Sequence, residues 1–257
     1  MFYADVLRPM FFKWNPEFAH DFMVFWGEVF GSFPPARWIL SSIWGYRGRD
    51  ISKIIDGNKY ERPVLLSAGF DTDGRLARIL SSISFGGEEV GSVTARPCEG
   101  NEKPRLTRLI RNKSLVVWKG LRNGGASTIA RRLARKGRTR GFVVGVSIAQ
   151  TNDEKVRDVE SGLEDYYQTF KTMNEAGVGD YYAINISCPN TFGGENFATP
   201  ALLTSLLEKL STVTCGKARY VKMPINMEWD AFHELLKIID RYGYDGVIIG
   251  NLNKNYS

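Results

Sequence analysis

The segment with the most chemistry per residue is Asn185-Ile186-Ser187-Cys188-Pro189-Asn190-Thr191. Two side-chain amides flank a thiol, and Pro189 stiffens the turn. Amides offer paired donors and acceptors, which suits a planar, imide-like ligand. A thiol among them acts as base or nucleophile once its pKa, about 8.5 when free, is lowered. The competing reading is a small buried hydrophobe, and it is the one given to Cys98 and Cys215. Lys222, in Tyr220-Val221-Lys222-Met223-Pro224, interrupts an apolar run. Pointing into a barrel mouth, its ammonium stabilises negative charge on a bound ring; at a sheet edge it snorkels to water. Two more loops carry small residues or amides: Ser67-Ala68-Gly69-Phe70-Asp71-Thr72-Asp73-Gly74 and Gly250-Asn251-Leu252-Asn253. Small residues let a flat ring lie against the backbone. His20 and His233 fall in helical stretches away from these loops, which argues against a histidine triad or a metal cluster. No Walker-type loop or GxGxxG opens a helix.

These loops need a frame. Short apolar strands are predicted at 64–70, 88–94, 142–148, 181–187, 219–225 and 246–250. Helices are predicted between most of them, at 74–82, 126–136, 162–176, 200–212 and 228–242. Alternating strands and helices make βαβ units and a parallel sheet, and the candidate residues sit at the C-terminal ends of its strands, where α/β barrels carry their sites. Stretches 105–110 and 115–118 read as a hairpin inserted on that side.

The 257 residues are 43% hydrophobic and 24% charged, which excludes wholesale disorder. Three cysteines without a CxxC argue for a reducing compartment. No window reaches the roughly 18 apolar residues of a membrane span. Asp5 and Arg8 stand where a signal peptide needs an apolar run. Residues 1–46 nevertheless hold 14 aromatics, more than two-fifths of all Trp, Tyr and Phe. Asn15, Pro16 and Glu17 start a helix that puts Phe18, Phe22, Phe25, Trp26, Val29 and Phe30 on one face and ends at Gly31. The Pro34–Pro35 pair separates it from a second helix at 36–44. Two readings stand side by side, a helical cap on a larger domain and an element lying on a membrane surface.

Residues 103–152 contain thirteen Lys/Arg and no Asp or Glu, against 21 basic and 28 acidic residues elsewhere. A nucleic-acid surface is disfavoured, because Arg131 to Arg140 lacks the interleaved aromatics that stack bases. The preferred reading is a solvated helix face plus a site that attracts an anion.

In this order, Ala68-Gly69-Phe70-Asp71, Glu89-Val90-Gly91-Ser92-Val93-Thr94 with Arg96-Pro97, Gly100-Asn101, Lys103-Pro104-Arg105-Leu106 and Asn185 to Thr191 resemble dihydroorotate dehydrogenase. Asn15-Pro16-Glu17 and Ala19-His20 are similar to the helical extension of its membrane-associated, quinone-using class 2. The resemblance implies a TIM (β/α)8-type barrel with FMN that oxidises (S)-dihydroorotate to orotate, a step of pyrimidine biosynthesis, and passes electrons to a membrane quinone. It places Cys188 as the catalytic base. Ser67, Ala68, Gly69, Ser92, Ser147, Asn185, Lys222 and Gly250 fall at FMN positions, and Lys119, Asn185, Asn190 and Asn251 at substrate positions. Residues 1–60 become a membrane-associating, quinone-access element, peripheral on the cytoplasmic face, and 61–257 the flavin barrel.

The resemblance has departures. A cysteine base is the habit of soluble class 1 enzymes, which use fumarate or a nicotinamide acceptor. Thr72 replaces an expected lysine, and Ser147 and Leu252 replace an Asn and a Thr. Val117-Trp118-Lys119-Gly120-Leu121 replaces an Asn-Arg-X-Gly-Phe loop, with Lys119 the substitute cation for the orotate carboxylate. Six predicted strands leave an open barrel with two exposed edges. The expectation is a fragment of a longer reading frame that alone binds FMN weakly. A further alternative is a non-catalytic basic binding module on a decayed barrel.

Overall fold

A computed structural model of the chain describes residues 3–156, 158–188, 197–250 and 252. A π-helical turn (Tyr3–Leu7) leads into α1 (Arg8–Phe12), α2 (Pro16–Ser32) and α3 (Pro34–Trp44). Asn15 caps α2, its Oδ1 accepting from the backbone N–H of Glu17 at 2.9 Å and of Phe18 at 3.2 Å. α3 begins on Pro34 itself, not at residue 36, so the proline pair opens the helix instead of separating it. First-turn N–H groups have no intrahelical acceptor, and proline lacks one at no loss.

α2 buries its small-residue side, not its aromatic side. Ala19, Val24 and Gly31 are buried, whereas Phe18, Phe25, Trp26, Val29 and Phe30 are exposed, Phe18 by 57%. Gly27 permits this: a Cβ there would stand 2.6 Å from Leu76 Cδ2, just before α4 (Ala77–Ser82). Val24 packs with Leu76, Ala77, Ile79 and Leu80. Ion pairs add to the docking: Glu17 with Arg105 at 3.2 Å, Asp21 with Arg122 at 3.6 Å, and Glu28 with Arg75 at 2.6 Å and Lys136 at 3.3 Å. Part of the basic run at 103–152 therefore holds an acidic helix. The cap reading of this segment holds on one face, and the other face keeps its aromatics exposed.

A hairpin of β1 (Lys53–Ile55) and β2 (Asn58–Tyr60) follows, which the sequence reading passed over. Its signal was Asp56-Gly57, both at positive φ, the dipeptide that tight hairpin turns favour.

Next come β3 (Leu65–Leu66), β4 (Gly87–Val93), the antiparallel hairpin β5 (Leu106–Leu109) and β6 (Ser114–Val117), then β7 (Val143–Ile148), β8 (Tyr181–Asn185), β9 (Ala218–Met223) and β10 (Gly246–Ile249). Six of them form one parallel sheet in the order β10-β9-β8-β7-β4-β3, curled into a half-barrel. The inserted hairpin at 105–118 is present as expected. The first barrel strand is far shorter than 64–70, because Ser67 to Gly74 leaves the sheet as a loop, tied by Gly69 N–H to Gly91 O at 2.7 Å and Gly91 N–H to Asp71 O at 3.1 Å.

Helices α5 (Ala126–Lys136), α6 (Val159–Glu175), α7 (Pro200–Ser211) and α8 (Trp229–Arg241) cover the outer face. α6 starts three residues before the expected 162, capped by Asp158 accepting from Ser161 N–H at 2.8 Å. Val90, Val146, Tyr182, Ile184, Val221 and Met223 of the sheet meet Ile129, Phe170, Leu203 and Leu206 of the helices, all fully buried. The inner face carries Tyr181, Ala183 and Tyr220, with Tyr60 of β2 against them.

One outer-face residue breaks the apolar pattern. Glu88 is fully buried beside Asp71, and burial together with that carboxylate pushes its carboxyl well above the usual range. A raised folded pKa means stability present at low pH and lost as pH rises from about 4.5 toward the folded value, at about 1.4 kcal/mol per unit. Glu88→Gln removes that loss, so its stability margin over the native chain should widen with pH. Urea midpoints at pH 5 and pH 8 check this, and a constant difference would refute it.

Candidate functional site

The C-terminal ends of the strands open into a cavity of about 570 Å³, within the range of small-molecule sites. β8 and β9 pair Asn185 directly with Lys222, so the amide and the ammonium share one edge of the floor. Asn185 is buried. Its Nδ2 donates to Ser92 Oγ at 2.8 Å, and its Oδ1 accepts from the backbone N–H of Ser187 at 3.1 Å and its hydroxyl at 2.8 Å. Ser92 and Ser147 hydroxyls share a 2.8 Å hydrogen bond, so Ser147 lies one residue beneath the cavity wall. Lys222 is 7% exposed with Nζ 3.9 Å from Glu89 Oε1, and Tyr181 hydroxyl donates to Glu89 Oε2 at 3.2 Å. Burial raises the Glu89 carboxyl, with Lys222 opposing.

Cys188 is half-buried, reduced, and lines the cavity three residues past the end of β8. The frame under it is fixed by Tyr166, whose hydroxyl donates to Asn185 O at 2.7 Å and whose ring meets Phe197 edge-on at 5.3 Å. Ala68, Gly69, Ser92, Asn185, Cys188, Lys222 and Lys119 all face one space, joined by Thr72, Val117, Leu121 and Leu252. Gly69 has φ +100° and nothing within 4 Å of the place a Cβ would take, so the wall there is bare backbone. Ser67, although exposed, and Gly250, at φ +118°, do not line this cavity. Asn190 and Asn251 lie outside the described residues.

The other wall is the N-terminal element. Phe11, Phe12, Pro16, Ala19, His20 and Met23 complete the cavity, with Arg108 and Leu115 from the hairpin. Arg108 donates to Trp14 O at 2.8 Å and lies 5.0 Å over the Phe12 ring. The sequence reading put His20 far from any strand end. The structure places it at one: its Nε2 is 2.8 Å from Phe70 O, in the loop after β3, and its ring meets Phe70 at 4.7 Å. Helical spacing alone hid this, because the helix packs across the barrel mouth; the Ala19-His20 motif was the available signal. Glu89 was also missed as a site residue; its partner Lys222 stands on β9, with β7 and β8 between it and β4, so no local pattern joins the buried acid to the cation it requires. Lys119 Nζ donates to Gly69 O at 2.9 Å and stands 3.2 Å from His20 Nε2. Its burial lowers the ammonium to about 8.

The family profile of dihydroorotate dehydrogenase matches residues 51–256. The dihydroorotate dehydrogenase (quinone) of Trichormus variabilis is 31% identical over 97% of this chain and 68% of its own, and that of Clavibacter sepedonicus 33% identical over 97% and 71%. A crystal structure of the Eimeria tenella enzyme in complex with ferulenol shares the fold at a TM-score of 0.76 and 23% identity, covering 95% of this chain and 68% of that one. The profile match over most of the chain, with two relatives above 30% identity, places this chain in the dihydroorotate dehydrogenase family.

Proposed function

We propose that the chain oxidises (S)-dihydroorotate to orotate with FMN and hands the electrons to a membrane quinone. The observation that carries this reading is one cavity that joins Cys188, Asn185 and Lys222 on the barrel side to Phe11, Phe12, His20 and Met23 on the helical side. Two reactants can use one such space in turn, one from each wall.

The residues present fit a flavin. Bare backbone at Gly69 admits a flat ring, and a buried ammonium at Lys222 offers charge where a reduced ring becomes anionic. When bound, FMN supplies a two-electron acceptor between the two reactants. Lys222, Asn185, Ser92, Ala68 and Gly69 hold it, with Ser147 bracing Ser92. Cys188 takes the C5 proton of dihydroorotate, and Asn185, with Asn190 and Asn251, binds the substrate's amide groups. The orotate-carboxylate role for Lys119 requires its ammonium to leave Gly69 O. Residues 1–60 serve as the acceptor-side and membrane-facing element and residues 61–257 as the flavin half-barrel. Among the described residues no helix is long and apolar enough to cross a membrane, and the exposed aromatic face of α2 suits peripheral contact on the cytoplasmic face.

Cys188 supports a second reading, a soluble enzyme reducing fumarate or a nicotinamide. Acceptor choice separates the two. With FMN in excess, dihydroorotate should be consumed with a short-chain ubiquinone at least ten times faster than with fumarate or NAD. Equal or faster turnover with fumarate would replace the quinone reading.

A further inference from the structure

We propose that His20 and Lys119 form a proton-sharing pair that protonates the electron acceptor at the helical end of the cavity. This rests on the proposed function and adds the proton path that it leaves open.

The hydrogen bonds around His20 carry the inference. Nδ1 is 3.0 Å from Asp21 Oδ1, so it holds a proton and donates. Nε2 is 2.8 Å from Phe70 O, which only accepts, and 3.2 Å from Lys119 Nζ. If Nε2 carries a proton to satisfy Phe70 O, a Lys119 ammonium would face it donor to donor. If Nε2 is bare and accepts from Lys119, it faces Phe70 O lone pair to lone pair. The donor–donor contact is relieved when Lys119 gives up a proton; the lone-pair contact persists while Lys119 keeps it. With Lys119 neutral, Nε2–H serves Phe70 O, and Lys119 donates to Gly69 O while turning its lone pair to the imidazole. With His20 neutral, the same proton sits on Lys119. The two forms differ by one proton moved across 3.2 Å.

The surroundings make the Lys119 proton easier to release. Burial brings the Lys119 ammonium down to about 8. Asp21 and Glu17 of α2 favour its charge, Arg122 and Arg105 oppose it, and Asp21 also contacts His20. Both members line the cavity, and the His20 side chain is only 13% exposed.

Reduction of a quinone to its quinol takes two electrons and two protons. Dihydroorotate gives up a hydride, which supplies both electrons and one proton by way of the flavin. The second proton passes from His20 Nε2 to a quinone oxygen, and Lys119 Nζ reprotonates Nε2 and is reloaded from solvent. Nothing else in the step is oxidised or reduced.

Two measurements test this. The chain has two histidines, so the imidazole 15N signals of His20 are assigned with His233→Gln. In the full chain those signals should show a step near pH 8 as Lys119 changes charge, and Lys119→Met should abolish it. A His20 titration identical in both proteins overturns the pair, whether or not the chain turns over. In the second, the flavin-loaded chain is reduced with stoichiometric dithionite, which bypasses the substrate-carboxylate role of Lys119, and mixed with a short-chain ubiquinone from pH 6 to 10. Lys119→Met and Lys119→Arg should both slow reoxidation, on the order of 100-fold near neutral pH, and lose the limb near pH 8. Arginine keeps the charge but cannot give up its proton, so full activity in Lys119→Arg would overturn proton transfer in favour of charge alone. Failure of the native chain to form orotate from dihydroorotate would instead strike the proposed function, and the 15N titration would still decide the pair.

Discussion

Cys188→Ala should reduce orotate formation by about 10²–10⁴-fold, the usual weight of a positioned general base, while FMN binding and the folded state persist. The persistence follows from where Cys188 stands. The end of β8 is held by Tyr166 through Asn185 O and by the Asn185–Ser92–Ser147 hydrogen bonds, none of which uses the thiol. The half-buried side chain faces the cavity instead of filling the core. Truncation therefore removes a functional atom and leaves a small gap in a wetted wall, at little cost in packing. Orotate measured by chromatography and FMN fluorescence quenching measured in parallel separate the two effects. Near-native turnover in the variant would take the base role away from Cys188.

Lys222→Met should lose both function and stability, and the two losses can be pulled apart. The ammonium is buried with Glu89 as its acidic neighbour, at 3.9 Å. Removing it strands a buried carboxylate, which in such pairs costs roughly 3–5 kcal/mol. Adding Glu89→Gln neutralises the stranded charge, and Gln can still accept from Tyr181. The double variant should regain most of the stability lost by the single one, read from urea midpoints. It should not regain flavin reduction, because no cation remains to stabilise the anionic ring. Recovery of both in the double variant would make Lys222 a structural residue only.

The frame was legible because hydrophobic periodicity reports directly on the helix–sheet interface. Strands β4, β7, β8 and β9 carry fully buried residues on alternating faces, and α5 and α7 start at the residues the sequence marks, Ala126 and Pro200. The floor of the site was legible for the same reason: Asn185 and Lys222 are polar exceptions in apolar strands, and parallel pairing sets them side by side. What escaped notice depends on contacts far apart in sequence. His20 reaches Phe70 across 50 residues and Lys119 across 99, and no local pattern encodes a helix lying over a barrel mouth. The face of α2 that docks is hidden for a related reason. Its bulky residues form the more obvious stripe, yet Val24, Gly27 and Gly31 permit the closer approach to α4. The aromatic stripe is left for another surface.

That division of α2 joins the barrel to the helical wall of the cavity. Its small-residue side and its acids fix it to the barrel through Arg105, Arg75 and Lys136, while His20 and Met23 project into the cavity that also holds Cys188. A helix docked in this way makes the helical wall a rigid part of the cavity.

Oxidation of dihydroorotate in this cavity leaves a product that can be counted. The most direct test is a single turnover without oxygen or added acceptor: the chain, saturated with FMN, is mixed with excess dihydroorotate and the orotate formed per chain is measured. One orotate should form for each bound flavin, with bleaching of that flavin. Bound flavin that stays oxidised, with no orotate formed, would contradict it.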